Sequence, residues 1–278
     1  MAFVREMRDL LASAEEAAQA AGFLIRESWQ QAKQIYYKSS IDLVTTIDRQ
    51  AQESIVNILQ KRFPEHSILA EEETTIAGIQ SSYRWIVDPL DGTTNFAHAY
   101  PHFCVSIALE REGEIILGLV YDPLREERFK AVQGKGAFLN GNPIRTSKVA
   151  ELDKALLATG FPYDRRERAA FYLAYLKAFM TSSQGIRRNG SAALDLCYVA
   201  CGRLDGFWEF GLHPWDSAAG SLMVREAGGK LTDLSGNTFA IWGGETLGSN
   251  GLIHREMLDI ILEATKTLTR PQSVDKKN

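Results

Sequence analysis

Cysteine is scarce, with three in 278 residues, at positions 104, 197 and 201. So odd and sparse a set excludes a disulfide framework and points to a reducing compartment, so a cytoplasmic protein is expected. Cys197 and Cys201 stand four apart on an expected helix, the spacing of two metal ligands on one face. No nearby His or Cys pair completes a tetrahedral set, and they read as small core residues. Long apolar runs are missing too. No stretch reaches the roughly 18 uninterrupted apolar residues of a membrane span. The opening MAFVREMRDLL carries charges where a secretory signal would have its apolar core, so no membrane association is expected. A basic excess is also absent: 31 Lys and Arg against 35 Asp and Glu give a formal net charge of -4. That balance argues against a nucleic-acid partner, though not against a phosphate-bearing ligand, because bound cations can reverse the sign of a site. Repeats, low-complexity blocks and Pro/Gly/Ser linkers are lacking. Residues 1–269 are therefore expected to form a single domain, with lobes at about 1–148 and 149–269 and a flexible tail at 270–278.

What is present alternates between helical and strand patterns, an α/β chain. Apolar residues at helical spacing with Ala-rich filling predict a helix over 3–31, and a second runs from Asp48 to before Pro64. Short strands are expected at 66–70 and 83–87, the latter stopping at Asp88-Pro89. From 103 to 121 the pattern is β with Glu112-Gly113 as its turn, and it continues over 129–144 with Asn140-Gly141 as a hairpin turn. Glycines 134, 136 and 141 fall in this hairpin rather than between a strand and a helix, which discounts them as a nucleotide-binding loop. Further on, strands are expected at 155–159 and 205–210. Helices are expected at 166–180, 191–200, 216–227, where Gly228-Gly229 gives the stop, and 253–268.

The chemistry gathers in acidic residues at junctions between these elements. In Trp85-Ile-Val-Asp88-Pro-Leu-Asp91-Gly-Thr93-Thr-Asn95 a buried strand delivers Asp88 to its carboxyl end, where α/β proteins place ligands. Pro89 interrupts pairing, Asp91 falls beside Asp88, and Gly92 and Thr93 open a helix. Carboxylates of this kind hold Mg²⁺, and the unpaired amides of a helix start hold phosphate oxygens. Asp in a turn or at a helix start is commonly only a cap, and Glu71-Glu72-Glu73 alone would be a solvated face. Asp48 and Asp216 also stand at helix starts, and four acidic sites at such junctions are more than capping requires. No Ser-His-Asp or Cys-His arrangement stands out. His98 and His102 are four apart, but Pro101 interrupts the helix they would need.

Four motifs then make a specific resemblance: D-x-V-T-x-x-D at 42–48, E-E at 71–72, W-x-V-D-P-L-D-G-T-T-N-F at 85–96 and W-D-x-A-A-G at 215–220. In this order and at these separations the chain resembles the inositol monophosphatase family over nearly its whole length. The resemblance implies an αβαβα sandwich of the inositol monophosphatase and fructose-1,6-bisphosphatase type, commonly a homodimer. It implies that Glu71, Asp88 and the Leu90 carbonyl bind one Mg²⁺, and that Asp88, Asp91 and Asp216 bind a second, with Asp88 bridging. Two or three ions are expected, with Mn²⁺ as a substitute. Thr93 and Asp48 resemble the pair that positions the attacking water, Glu71 joining them in catalysis, and the Gly92 and Thr93 amides would hold the phosphate. Around the substrate, Glu71, Leu90, Asp91 and Asp216 are joined by Gly190, Ser191 and Ala192 along the ring and by Glu209 on its hydroxyls.

The sequence departs from the family's animal enzymes at two places. The segment after Lys38 is one residue shorter, and Pro214 stands where a cysteine is common. The activity implied is Mg²⁺-dependent hydrolysis of a small phosphorylated polyol, with myo-inositol 1-phosphate first. Within the same superfamily 3′-phosphoadenosine 5′-phosphate, fructose 1,6-bisphosphate and histidinol phosphate remain open, because all share the metal motifs. A metal–phosphate-binding regulatory or partner protein is the alternative of a different class. The Arg187-Arg188 pair is assigned first to dimer or surface contacts and second to an additional substrate phosphate.

Overall fold

Ala-rich sequence with apolar residues at helical spacing forms the opening helix, α1 (Ala2–Glu27), in this computed structural model, which describes residues 2–29, 35–37, 43–72, 74–76 and 82–269. A two-stranded ribbon, β1 (Ile35–Tyr37) and β2 (Leu43–Thr45), leads into α2 (Thr46–Arg62). Then follow β3 (Ser67–Ala70), β4 (Thr74–Ile76), β5 (Tyr83–Asp91), the short α3 (Thr93–Ala97), β6 (Cys104–Arg111), β7 (Glu114–Asp122), β8 (Glu127–Val132), β9 (Gly136–Leu139) and β10 (Asn142–Pro143). The second half runs β11 (Leu156–Thr159), α4 (Ala169–Met180), β12 (Gly185–Arg187), α5 (Ala192–Ala200), β13 (Gly206–Phe210), α6 (Pro214–Glu226), β14 (Lys230–Thr232), β15 (Glu245–Ser249) and α7 (His254–Thr269).

The strands make an eight-stranded sheet, ordered β10-β9-β8-β7-β6-β5-β3-β4, and a five-stranded sheet, ordered β12-β11-β13-β15-β14. Side chains alternate between faces along each strand. Trp85 and Val87 of β5 point to the core under α1 and α2, while Ile86 joins the core around α5 and α6. In the smaller sheet Phe207 turns to α5 and α6, and Trp208 to α4 and α7. The layers are thus α1/α2, the large sheet, α5/α6, the small sheet and α4/α7, an αβαβα sandwich. Close approach inside it depends on glycine: a Cβ on Gly118 of β7 would stand 2.8 Å from the Ala219 carbonyl oxygen of α6.

Both expected hairpin turns form, with Glu112 and Gly113 at φ 53° and 88° and Asn140 and Gly141 at 48° and 83°. The expected helix over 166–180 is split. A 3₁₀ turn takes Tyr163–Arg166, and α4 starts only at Ala169. Asp164 holds that turn, its carboxylate accepting the Tyr172 hydroxyl at 2.6 Å and an Arg168 N–H at 3.2 Å. The strand expected to stop at Asp88-Pro89 continues to Asp91. Cys197 is buried and Cys201 half-buried, both as free thiols, in keeping with core roles. Glu73, Asp42, the segment after Lys38 and the expected tail at 270–278 lie outside the described residues.

Candidate active site

Asp88 and Asp91 share one pocket because of a single irregularity in β5. Three residues apart on a regular strand, their side chains would point to opposite faces. The pairing with β6 slips by one residue between them, from Asp88 opposite Ser106 to Asp91 opposite Cys104. Pro89, which has no N–H for the ladder, sits in the slip. The extra residue restores the common face, and both carboxylates line a pocket with Glu71, Glu209 and Asp216.

Each acid is brought in by a different element. Glu71 follows β3, which runs parallel to β5. Its turn is clamped from α2 by Gln52, which donates Nε2 to the Glu72 carbonyl and accepts the Glu72 N–H through Oε1, both at 2.9 Å. Nothing in the sequence singled out Gln52, a polar residue on an otherwise ordinary helical face. Glu72, expected on a solvated face, is buried. Asp216 stands in the first turn of α6, where Oδ2 accepts the His213 N–H at 2.6 Å. Asp91 Oδ2 accepts from the Ser191 hydroxyl at 2.7 Å and from the Ala193 N–H at 2.8 Å at the start of α5.

Gly92 closes the strand in the left-handed region, at φ 101°. A Cβ there would meet the His102 carbonyl oxygen at 3.0 Å and the Gly190 carbonyl oxygen at 3.3 Å. The first bond of α3 runs from the Phe96 N–H to the Gly92 carbonyl at 3.0 Å, so the amides of Gly92 through Asn95 precede it without a partner inside the helix. Thr93 Oγ1 reaches Asp48 Oδ1 at 2.7 Å and the Leu90 carbonyl at 3.0 Å. Asn95 ties this turn to the second half of the chain, donating Nδ2 to the carbonyls of His102 and Asn189 at 2.7 and 2.8 Å.

Gly190, Ser191 and Ala192 line the opposite side, Ser191 serving as N-cap of α5 with its Oγ 3.4 Å from the Leu194 N–H. Glu209 of β13 lies so close to Gly160 that a Cβ on the glycine would meet its Oε1 at 2.0 Å. Asp195 completes the floor, accepting the Asn189 side-chain N–H at 2.6 Å. Sequence reasoning missed Asp195. Its one signal is a charged residue amid the apolar pattern Ala-Ala-Leu-Asp-Leu-Cys.

These acids hold their protons strongly. Burial, then Glu71, Asp91 and Asp216 in turn, raises Asp88 well above the usual carboxylate range. Burial lifts Asp91 to about 6 against the donors that stabilise its charge, and burial with the fields of Asp91 and Glu71 raises Asp216. Burial takes both Glu209 and Asp195 to about 8, with Arg188 opposing in each case. Carboxylates raised by one another form a site suited to positive charge. One oxygen of Asp88, Oδ1, accepts the Leu90 N–H, and one of Asp216 accepts the His213 N–H. The second oxygen of each takes no hydrogen bond from the described residues. Hard anionic oxygens left without donors beside a backbone carbonyl fit a divalent cation. Among the described residues no three acidic, His or Cys side chains close into a coordination shell by themselves. They surround the pocket, leaving room for oxygens from outside the chain.

A profile described as "Inositol monophosphatase family" matches residues 6–270. An inositol-1-monophosphatase of Synechocystis sp. is 46% identical over 259 residues, 91% of this chain and 88% of that protein. The Escherichia coli protein named Nus factor SuhB is 42% identical over 254 residues, 91% of this chain and 95% of its own. The solved structure of an inositol monophosphatase from Anabaena superposes with a TM-score of 0.85 at 42% identity, covering 93% of this chain and 97% of that one.

Proposed function

The chain belongs to the inositol monophosphatase family, whose members are phosphoric monoester hydrolases, and on that premise we propose a Mg²⁺-dependent phosphatase acting on myo-inositol 1-phosphate or a related polyol monophosphate. The observation that carries this is the placing of Glu209 in the same pocket as Asp88, Asp91 and Asp216. Acids that suit cations stand at one side, and a carboxyl suited to vicinal hydroxyls stands at the other.

In this proposal Glu71, Asp88 and the Leu90 carbonyl hold one Mg²⁺, and Asp88, Asp91 and Asp216 hold another, with Mn²⁺ as a substitute. Cations there supply positive charge against the phosphate oxygens and make water more acidic. Gly92 and Thr93 present backbone N–H groups to the phosphate, an anion at the start of α3. Thr93, through the hydroxyl bonded to Asp48, orients water for in-line attack, and Glu71 assists as an acceptor for its proton. Ser191 and Ala193 fix Asp91 by its Oδ2, so this carboxylate keeps its aim with or without ligand. Gly190, Ser191 and Ala192 lie along the polyol, and Glu209 accepts from its hydroxyls.

The apolar cluster that joins Ile86 and Phe129 of the large sheet with Ala158 and Phe207 of the small one supports treating 1–269 as one catalytic domain. Free thiols at 104, 197 and 201 support a cytoplasmic location. No described helix is long and apolar enough to cross a membrane. A homodimer is the family expectation, and a sedimentation mass of two chains would support it. The name carried by the E. coli relative favours a partner role beside catalysis. Asp91→Asn, expected to stop turnover while a partner contact survives, separates the two roles.

Phosphate release from myo-inositol 1-phosphate, with Mg²⁺ and with chelator, tests the proposal. Mg²⁺-dependent release is expected. Full turnover in chelator, or release from no polyol monophosphate in a panel, would sink it.

A further inference from the structure

The large sheet outruns the helix that covers one of its faces. Along β8 and β9 the side chains alternate: Phe129, Ala131 and Ala137 enter the core around α5 and α6, and Lys130, Val132 and Phe138 face the other way. On that other face α1 packs over β6 and β7, and Ile116 of β7 is buried in the cluster beneath it. Past the edge of α1 a groove of about 530 Å³ opens. Ile116, Val132 and Phe138 make its floor, Met7 and Leu11 of α1 one wall, and the turn carrying Gln133 and Lys135 another. Its lining shares no residue with the acidic pocket.

Two features make this groove a binding site rather than a loose seam. Its volume falls in the range of small-molecule sites, roughly 300–1,000 Å³, and its lining is mainly apolar with a few polar groups at the edge. One wall is also fixed in advance. Glu226, in the last turn of α6, accepts the Gly134 and Gly136 N–H groups at 2.7 Å each, and the Gln133 N–H donates to the Ile116 carbonyl at 3.0 Å. A site formed beforehand loses little freedom when it is filled.

Charge selects the occupant. Arg8 on the helix, Lys130 on the sheet and Lys135 on the turn line the groove, and no acidic residue does, although acids outnumber bases by 35 to 31 in the chain. Glu15 of α1 pairs with Lys130 at 2.8 Å, which leaves the fields of Arg8 and Lys135 on facing walls. An apolar body suits the floor, and an anionic head suits the cations beside it. A polyol phosphate has no such body and gains nothing from the floor. We propose that the groove binds a free amphipathic anion, a carboxylate on an alkyl or aryl body, at a site separate from catalysis.

The test titrates decanoate into the full chain by calorimetry, with decyltrimethylammonium as the same tail under the opposite charge. One decanoate per chain is expected, and the cation is expected to bind at least about tenfold more weakly. Arg8→Glu combined with Lys135→Glu should weaken decanoate by about tenfold or more, and Phe138→Ser, which strips the floor, by a similar factor. The doubly substituted chain should keep the parent's melting transition, which shows that it folds. No binding of decanoate, equal affinity for the two head groups, or decanoate held undiminished by the doubly substituted chain overturns the site. A sedimentation mass that falls in Phe138→Ser assigns the face to a second copy, and binding of an acidic peptide without binding of decanoate assigns it to another protein; either result also overturns the proposal. The readout is binding rather than turnover, so the phosphatase proposal stands or falls apart from it.

Discussion

Thr93 Oγ1 donates to Asp48 Oδ1 at 2.7 Å, tying the first residue of α3 to the first turn of α2. A hydroxyl held by a buried carboxylate is aimed in one direction, and general-base positioning of this kind is worth roughly 10²–10⁴ in rate. Thr93→Ala and Asp48→Asn are each expected to lower kcat by about 10² or more, with KM within about threefold. Thr93→Ser, which keeps the oxygen, should retain most of the rate. Steady-state kinetics on one polyol monophosphate distinguishes this from a loss in KM alone, which would mean that the pair serves binding.

The clamp between Gln52 and Glu72 makes a prediction about cation affinity. Two hydrogen bonds of 2.9 Å fix the turn that carries Glu71. Groups that orient ligands in this way typically matter by about 10- to 100-fold in metal affinity. Gln52→Ala should raise the Mg²⁺ concentration for half-maximal activity by about that factor, and Gln52→Glu, which cannot donate, should do nearly the same. An unchanged Mg²⁺ titration would deny the clamp its role.

Removing cations should reverse the effect of removing a charge. Burial lifts Asp91 from 3.8 to about 6, so the fold prefers its protonated form. That preference is a stabilising contribution present below the unfolded pKa and lost as the pH rises through about 6. At neutral pH that contribution is gone. In chelator at pH 7.5, Asp91→Asn is therefore expected to melt several degrees above the parent protein, and the gap should close towards pH 4. With saturating Mg²⁺ the parent gains stability and the variant does not. Scanning calorimetry at the two pH values, with and without chelator, checks each sign.

Gly160 leaves the space into which Glu209 folds. An alanine there would place its Cβ 2.0 Å from Oε1, so the carboxyl must move. Gly160→Ala is expected to raise KM for a polyol monophosphate by about tenfold, the worth of one well-placed polar contact. On p-nitrophenyl phosphate, which has no vicinal hydroxyls, the change should stay within about threefold. Equal losses on both esters would indicate general damage to β11.

The cluster of acids was legible because its residues stand at element ends, where sequence motifs are compact. Asp88, Asp91, Thr93 and Asp216 are read straight from two short runs. The order of helices and strands followed from periodicity, and both hairpin turns from Glu112-Gly113 and Asn140-Gly141. Gln52 and Asn95 were not legible, since each acts on a residue distant in the sequence, Asn95 on the Asn189 carbonyl and Gln52 on the Glu72 backbone. Asp195 accepts from Asn189 only six residues away, and no motif marks it in its apolar run. Strands β12 and β14, three residues each, are too short for alternation to show. The 3₁₀ turn at Tyr163–Arg166 escaped for another reason. Asp164 fixes it through Tyr172, a contact that helical spacing alone does not distinguish from a continuing helix.

The extra residue at the end of β5 gives this stretch slack that a regular ladder lacks. Three residues of β5 span a gap that two fill on β6, so Pro89 and Leu90 stand outside the pairing while both aspartates keep one face. Deleting either one would leave Asp91 two places from Asp88, still on that face but with the ladder drawn straight between them. The damage would then fall on the unpaired segment, and with it on the Leu90 carbonyl, rather than on the side from which Asp91 enters the pocket.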